Sequence, residues 1–481
     1  MRQTEIPIGG GFYRSPSLPL DAQNCVNAYP VIVQISETLT RQSLFATPGL
    51  KLLASSGAGA NRGSEVMDGV PYFVQGNFLY SLDRTVTNDE ESFSTTEIGF
   101  ISGLGNVSIA ENGTQLMILV PGGTGYIYDG TSLVEITDTD FTANGNPQYV
   151  TFVDGYFACV TDSKKFIVSA LNDGTSWNAL DVGSAEIDPD AIMAAEPLDN
   201  ILRVFGTETT ESFQNIGGSG FPFQRIPGSA KYKGLFARFS LISMDDQLFW
   251  VGGGKHDEAG IWRMAGNQIE KVSTDAVDQL LQELTADQLD DVNGWSYSDQ
   301  GQFFVGWNLE NTTIVYSLTT SRWHERKSRT YDVLGYPNEK AWRCRGIVRA
   351  YDRIIGADRI NGNLGEVDLD TFDEYGNEVL RYGSTQPFEN IEGRFSVPLF
   401  ELHTEAGVGN SDTPDPQLRV AFSRDGVTYG PERSRSLGKV GERNKRQVWR
   451  MNGTFDYRAV MRWAFSGKTK LRIIKASAGF A

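Results

Sequence analysis

Histidine is the side chain most often recruited for proton transfer near neutral pH, and this chain has three, His256, His324 and His403, each in a different region. None stands in a GxSxG elbow or an HExxH pattern, so each reads as an ordinary surface or capping residue. No GxxxxGK(S/T) loop is present, and no GxGxxG lies between a strand and a helix, which removes the usual phosphate cradles. The three cysteines, Cys25, Cys159 and Cys344, are odd in number and far apart, without zinc-type spacing, and read as reduced, buried thiols. In DLDTFDEYGNE, 368–378, the carboxylates of Asp368, Asp370 and Asp373 could gather round calcium, but the spacing is not that of an EF-hand. A solvated acidic loop is the simpler reading. The sequence therefore nominates no catalytic, cofactor-binding or metal-ligating residue, and the expectation is a protein without cofactor or turnover.

Two turns come closest to a functional motif. SALNDGTSW (169–177) and FSRDGVTYG (422–430) approximate the S-x-D-x-G-x-T-W turn found in sialidase-type propellers. Asp173 and Asp425 would hold the turn backbone while the aromatic residue anchors the hairpin, a structural role. A retaining glycosidase also needs two facing carboxylates, or a tyrosine nucleophile with an acid partner, and the sequence supplies no such set. Because Trp and Tyr faces stack well on sugars, a glycan-binding or glycan-hydrolysing propeller stands as the alternative function.

The elements around these residues read as strands. The 52 Gly, 27 Phe, 18 Tyr and 9 Trp describe short strands joined by tight turns, and the expected fold class is all-β. Segments such as VPYFVQGNFLYSLD (70–83), TQLMILVPGGTGYIYDG (114–130), ILRVFGTETTESFQ (201–214) and YDRIIGADRINGNLGEVDLD (351–370) read as hairpins. Their recurrence about every 35 to 60 residues predicts a propeller-like body of five to seven blades, with a long β-sandwich array as the competing architecture. One insertion, 274–292, breaks the pattern. Ser273 or Thr274 would cap a helix with Val277, Leu280, Leu281 and Leu284 on its apolar face, and Thr285 would cap a second, the pair covering a sheet face between blades.

Three parts are expected: an N-terminal arm, 1–60, completing the ring or propeller; the body, 61–388; and a C-terminal β-sandwich, 389–481. In the last, alternation directs Val448, Met461, Trp463 and Phe465 inward and leaves Arg450, Arg458, Arg462 and Lys468 outside. The net charge of −17 divides unevenly along this boundary. Residues 389–481 hold 16 Lys and Arg against 10 Asp and Glu, net +6, leaving 27 against 50, net −23, for residues 1–388. The acidic total disfavours general binding to nucleic acid or anionic membranes, and the asymmetry suits contacts between neighbouring subunits. With no secretory signal pattern and no apolar run of about eighteen residues, the chain reads as soluble, made without export and lacking a membrane span.

Four blocks, colinear from end to end, carry a family resemblance: AQNCVNAYPV with ATPGL (22–31, 46–50); ETTESFQNIG (208–217); KVSTDAVDQLLQELTADQLDDVNGWSYSDQGQFFVGWNLENTTIVYSLTTSRWHERKS (271–328); and the C-terminal FELHTEAGVG, FSRDGVTYG, SLGKVGERNKRQVWRMNGTF and LRIIKASA. In this order the chain resembles the packaged-DNA stabilisation, or tail hub and nozzle, proteins of short-tailed bacteriophages, the podovirus tail accessory factors. The resemblance implies a structural virion protein: a homo-oligomer of six copies in a ring below the portal and its adaptor. Such a ring would close the exit channel and retain packaged DNA, and would receive a tail needle, tailspikes or fibres. It further implies assembly in the host cytoplasm, residence in the virion tail, and double-stranded DNA passing through the channel without sequence-specific binding. Degradation of the host envelope by the same protein is neither required nor excluded by these residues.

Overall fold

Tight turns set the architecture. Asp68, Asp154, Asp199 and Asp245 adopt φ of +50 to +54° at hairpin tips, the left-handed conformation that two-residue turns matching strand twist require and that Asp and Asn tolerate. Each expected hairpin forms. The computed structural model describes residues 3–8, 10–15, 21–36, 39–185, 188, 190–218, 220–331, 334–389 and 393–481.

Seven antiparallel sheets follow in chain order. Six are local: Asn61–Met67 to Glu90–Phe100, Ser108–Glu111 to Leu133–Glu135, Pro147–Val153 to Asp173–Ser184, Ile192–Leu198 to Phe223–Arg225, Gly234–Leu235 to Gln268–Lys271, and Asn293–Asp299 to Arg322–Tyr331. The seventh takes three strands from late in the chain, Cys344–Ala350, Arg353–Asp358 and Asn363–Asp368, and its outer strand, Gly49–Ser55, from the beginning. The first strands pack side by side and Cys344–Ala350 returns against Asn61–Met67, so the sheets stand radially in a closed ring. The body is a seven-bladed propeller, at the upper end of the expected range.

Middle strands of such blades are covered on both faces and read as unbroken apolar runs. In Leu116–Val120 every residue is buried: Leu116 and Ile118 pack toward the first blade, Met117 and Leu119 toward the third. The helices Asp275–Gln282 and Ala286–Asp290 bridge the fifth and sixth blades. Val277 and Leu281 of the first are buried against Phe249, Val251 and Trp307. The caps divide differently from expectation. Thr285 forms a capping box with Gln288, but the Thr274 side chain makes no cap bond, and Ser273 Oγ instead accepts from Ile261 N and bonds Asp278.

The C-terminal region is a sandwich of two sheets around Phe400, Met461, Trp463, Phe465 and Trp449. Val448, expected in this core, is only half-buried. The ladder pairs Phe400 with Trp449 and Leu402 with Gln447, which turns Trp449 inward and Val448 outward; the larger side chain decides the register. One sheet is extended by N-terminal strands, since Gln3–Ile6 and Leu39–Ala46 both pair with Arg472–Gly479.

The other sheet runs without a break into the sixth blade. Asn24–Val26 pairs parallel with the blade's outer strand, Val26 opposite Glu325, and antiparallel with Arg381–Ser384, which pairs with Arg458–Phe465 of the sandwich. Beside this strand Asn27, buried at φ +54°, donates from Nδ2 to the carbonyls of Lys327 (2.9 Å) and Leu380 (2.8 Å) and accepts from Lys327 N (2.9 Å). Asn27→Ala leaves three buried backbone groups without partners, and should lower unfolding free energy by about 3 kcal/mol or more in urea titration.

Candidate functional site

Three features of the surface and channel have the geometry to act. The first is the propeller channel, lined by the first strands of the blades. It holds a cavity of about 230 Å³ bordered by Asn61, Ser64, Glu65, Tyr149, Trp295, Arg345 and their neighbours. Glu65 lines this cavity from the first blade, and Glu196, on the first strand of the fourth, lies near enough to feel its charge. Burial pushes the Glu65 carboxyl up to about 7 despite a hydrogen bond from Val66 N (2.9 Å), and the charge of Glu111 adds to the shift. Burial pushes Glu196 up to about 7 as well, with the charge of Glu65 adding and hydrogen bonds from Thr151 and Tyr149 opposing. The adjacent guanidinium of Arg62 is committed to carbonyls of Gly105 (2.6 Å), Gly76 (3.1 Å) and Ser102 (3.0 Å).

The second feature is the propeller face bearing the first turn of every blade. Each such turn has a carboxylate in it or beside it: Asp68, Glu111, Asp154, Asp199, Asp245, Asp299 and Asp352, in blade order. Because all seven blades begin with the inner strand, these turns share one face, and together they set a negative potential round the channel mouth.

The third is the basic sandwich, and much of its positive charge is structural. Arg419 (3.2 Å) and Arg462 (3.1 Å) share Glu432, and Arg446 holds the buried Glu401 with two bonds of 2.7 Å. Arg433 and Arg435, on an edge strand, donate to the Arg450 (2.7 Å) and Val448 (2.8 Å) carbonyls, fastening one sheet to the other. Arg424, Lys439, Arg443 and Arg450 are exposed.

The residues singled out by type do not converge. His324 is not the surface or capping residue its sequence position implied. It is 2 % exposed, lies against Tyr29 and Phe304, and burial beside Arg326 lowers its pKa to about 3, so it is a neutral core residue. His256 lies on an exposed loop of the fifth blade and His403 on the sandwich, 3.9 Å from Glu401. The three cysteines are buried and unpaired, with burial raising each thiol. Asp368 accepts from Asp370 N (3.1 Å) and Thr371 Oγ1 (2.7 Å), while Asp373 accepts from Gly376 N (2.9 Å) and meets Lys468 at 3.3 Å. These carboxylates hold their own loop and a contact to the sandwich. Asp173 accepts from Thr175 N (3.0 Å) and Oγ1 (2.7 Å), and Trp177 Nε1 donates to Gly174 O (2.9 Å). Asp425 accepts from Val427 N (2.8 Å), Thr428 N (2.7 Å) and Ser423 Oγ (2.8 Å). Both aspartates brace their turns.

Sequence reasoning passed over the channel carboxylates. The available signal was an acidic residue inside an otherwise apolar first strand, Glu65 in SEVM and Glu196 in AAEPL.

The fold is a seven-bladed propeller joined through a shared sheet to a β-sandwich. Family models described as bacteriophage P22 Gp10, beta-propeller, and bacteriophage P22 Gp10, beta-sandwich, match residues 4–372 and 382–480. The chain belongs to this family of phage tail and DNA-stabilisation structural proteins. No curated protein matches it significantly. Among solved structures it is similar to the WD40 propeller domain of Doa1 (12% identity, 66% of this chain and 96% of that one, TM-score 0.39). It is also similar to the designed Ika8 protein (12%, 66% and 99%, TM-score 0.36) and to the extracellular domain of the putative hybrid two-component system BT4673 of B. thetaiotaomicron (11%, 66% and 39%, TM-score 0.41).

Two titrations follow. Glu65 and Glu196 bind protons more tightly folded than unfolded, so their contribution is fully present below the ordinary value of 4.5 and is lost as pH rises through about 7. Glu65→Gln and Glu196→Gln should each flatten this decline and stabilise the chain at pH 8 by about 1–3 kcal/mol in chemical denaturation. Asp425 has the opposite sign: its turn hydrogen bonds lower it to about 2, so its contribution is present above 3.8 and lost as pH falls through about 2. Asp425→Ala should lower the melting temperature at pH 7 but not at pH 2.

Proposed function

We propose that this chain forms the tail hub, or nozzle, of a short-tailed phage, a six-membered ring added below the portal and adaptor. There it closes the exit channel and retains packaged DNA, and its far side carries the tail needle, tailspikes or fibres. The observation that carries the reading is family membership through both the propeller and the sandwich. The acidic propeller supports it physically, because carboxylates repel phosphates and let a duplex slide where a basic lining would bind it. In this reading residues 61–388 are the rigid wall, 389–481 the module that meets other subunits, and 1–60 the arm joining them. Assembly takes place in the host cytoplasm, and the protein turns over no substrate. The turn carboxylates behind the glycan reading are engaged by their own backbones.

Electron microscopy of tailless heads bearing portal and adaptor, mixed with the purified chain, should show a six-fold ring with a central channel at one vertex and a gain in DNA retention. Failure to add to such heads, together with specific retention on a glycan array, would overturn the reading in favour of a glycan-active propeller.

A further inference from the structure

Strand direction defines two ends of the sandwich. At one end Lys468 reaches the propeller, bonding Gly376 O (2.5 Å) and pairing with Asp373. At the other lie the turns after Ser423 and Arg450 and the segment before Arg458. There three large apolar side chains stand in solvent: Met451, 88 % exposed, Val427, 61 %, and Tyr457, 56 %. Their turns are tied together. Arg424 Nη2 donates to Thr454 O (3.2 Å), and Thr454–Phe455 pairs with Phe395–Ser396, while Arg433 holds the carbonyl of Arg450. Met451 takes φ +54°, a conformation that favours Gly or Asn, so turn geometry does not account for a methionine there. Arg394, Arg424 and Arg450 fringe the cluster. Of the neighbouring carboxylates, Asp425 is bound by its own turn and Asp456 sits 3.7 Å from Arg394. Met, Tyr and Arg round an apolar centre is the composition of a protein interface rather than of a bare surface.

We infer that this far end of the sandwich docks onto a second copy of the chain, on the propeller face that carries the first-turn carboxylates. The inference rests on the ring reading and specifies its contact. Charge complementarity selects the occupant: a sandwich carrying +6 meets a body carrying −23, whereas sandwich on sandwich or body on body would set like charges together. Within one chain it is the Lys468 end of the sandwich that meets the propeller, at Asp373 and Gly376. Contact between unlike surfaces of successive copies is the arrangement that closes a ring. Within the acidic face the sandwich crowds the sixth turn, where Gln300 borders Phe45 and Arg472. Asp154 and Asp199, on the third and fourth blades, remain exposed and open.

The test uses the full chain with a photo-crosslinking residue in place of Tyr457, irradiated in assembled rings and mapped by mass spectrometry. Crosslinks from position 457 to peptides containing Asp154 or Asp199 of another copy are expected. Arg424→Glu with Arg450→Glu should weaken self-association at least tenfold, and mixing with Asp154→Arg/Asp199→Arg should restore it. Met451→Asp, at a side chain with almost no contacts to lose, should weaken association with an unchanged melting temperature and so separates docking from folding. Rings that form with crosslinks elsewhere, indifferent to all these changes, would overturn the inference while leaving the ring reading standing. A chain that neither self-associates nor adds to heads would overturn both.

Discussion

The ladder between Gly49–Ser55 and Asn363–Asp368 is the pairing on which the rest of the molecule depends, because it completes the seventh blade with a strand from the start of the chain. Without it the seventh blade has three strands and an open edge beside the first. Placing the closing strand at the start of the chain makes closure a contact across more than three hundred residues. That contact is slow to find, but because loop-closure entropy grows only logarithmically it is affordable once the blades exist. Having closed the ring, the same N-terminal region has Asn24–Val26 between the sixth blade and the sandwich. The C-terminal sandwich is thus a continuation of a propeller sheet.

The seam where this happens is polar, for a definable reason. Strand ends from several elements turn their carbonyls inward there, and each needs a donor. Arg381, with no exposed surface, reaches the carbonyls of Phe372 (2.8 Å), Gly467 (3.3 Å) and Val379 (3.4 Å). Arg326 donates to Pro48 O (2.8 Å) and lies 3.4 Å from the centre of the Trp342 ring. A guanidinium offers five N–H donors in a plane, so one side chain can serve carbonyls that an apolar core would strand. Burial lowers the pKa of both arginines, and the charge of buried Glu374 opposes the shift in each. Such a group adds little net stability, but each member depends on the others.

How much of this was legible depends on range. The hairpins were plain, because runs such as TQLMILVPGGTGYIYDG hold both strands and the turn within seventeen residues. The amphipathic helix was plain for the same reason, with Val277 and Leu281 placed by a 3.6-residue period. Pairings between distant segments leave no local mark: nothing in GLKLLAS announces Asn363–Asp368 as its partner, and nothing in Asn24–Val26 says that it will lie between two domains. Val448 shows the limit within a strand, where alternation gave the right period and the wrong phase until the bulk of Trp449 settled it. His324 shows the limit for a single residue. Its burial is decided by Tyr29, almost three hundred positions away, and no neighbour in SRWHER signals it.

The candidate surfaces were legible only in aggregate. Net charge separated an acidic body from a basic end, but it could not say that Arg433 and Arg435 are spent on the facing strand or that Arg446 neutralises Glu401. Nor could it show that the acids of the body recur once per blade, since the blade count was needed to see the repeat. The structural reason for Asp at a left-handed turn and the electrostatic consequence of such turns recurring on one face are then the same fact at two scales. Asp68, Asp154, Asp199, Asp245 and Asp352 each take a left-handed backbone, Glu111 and Asp299 close their strands beside the turn, and the ring symmetry of the propeller sums these charges into a field.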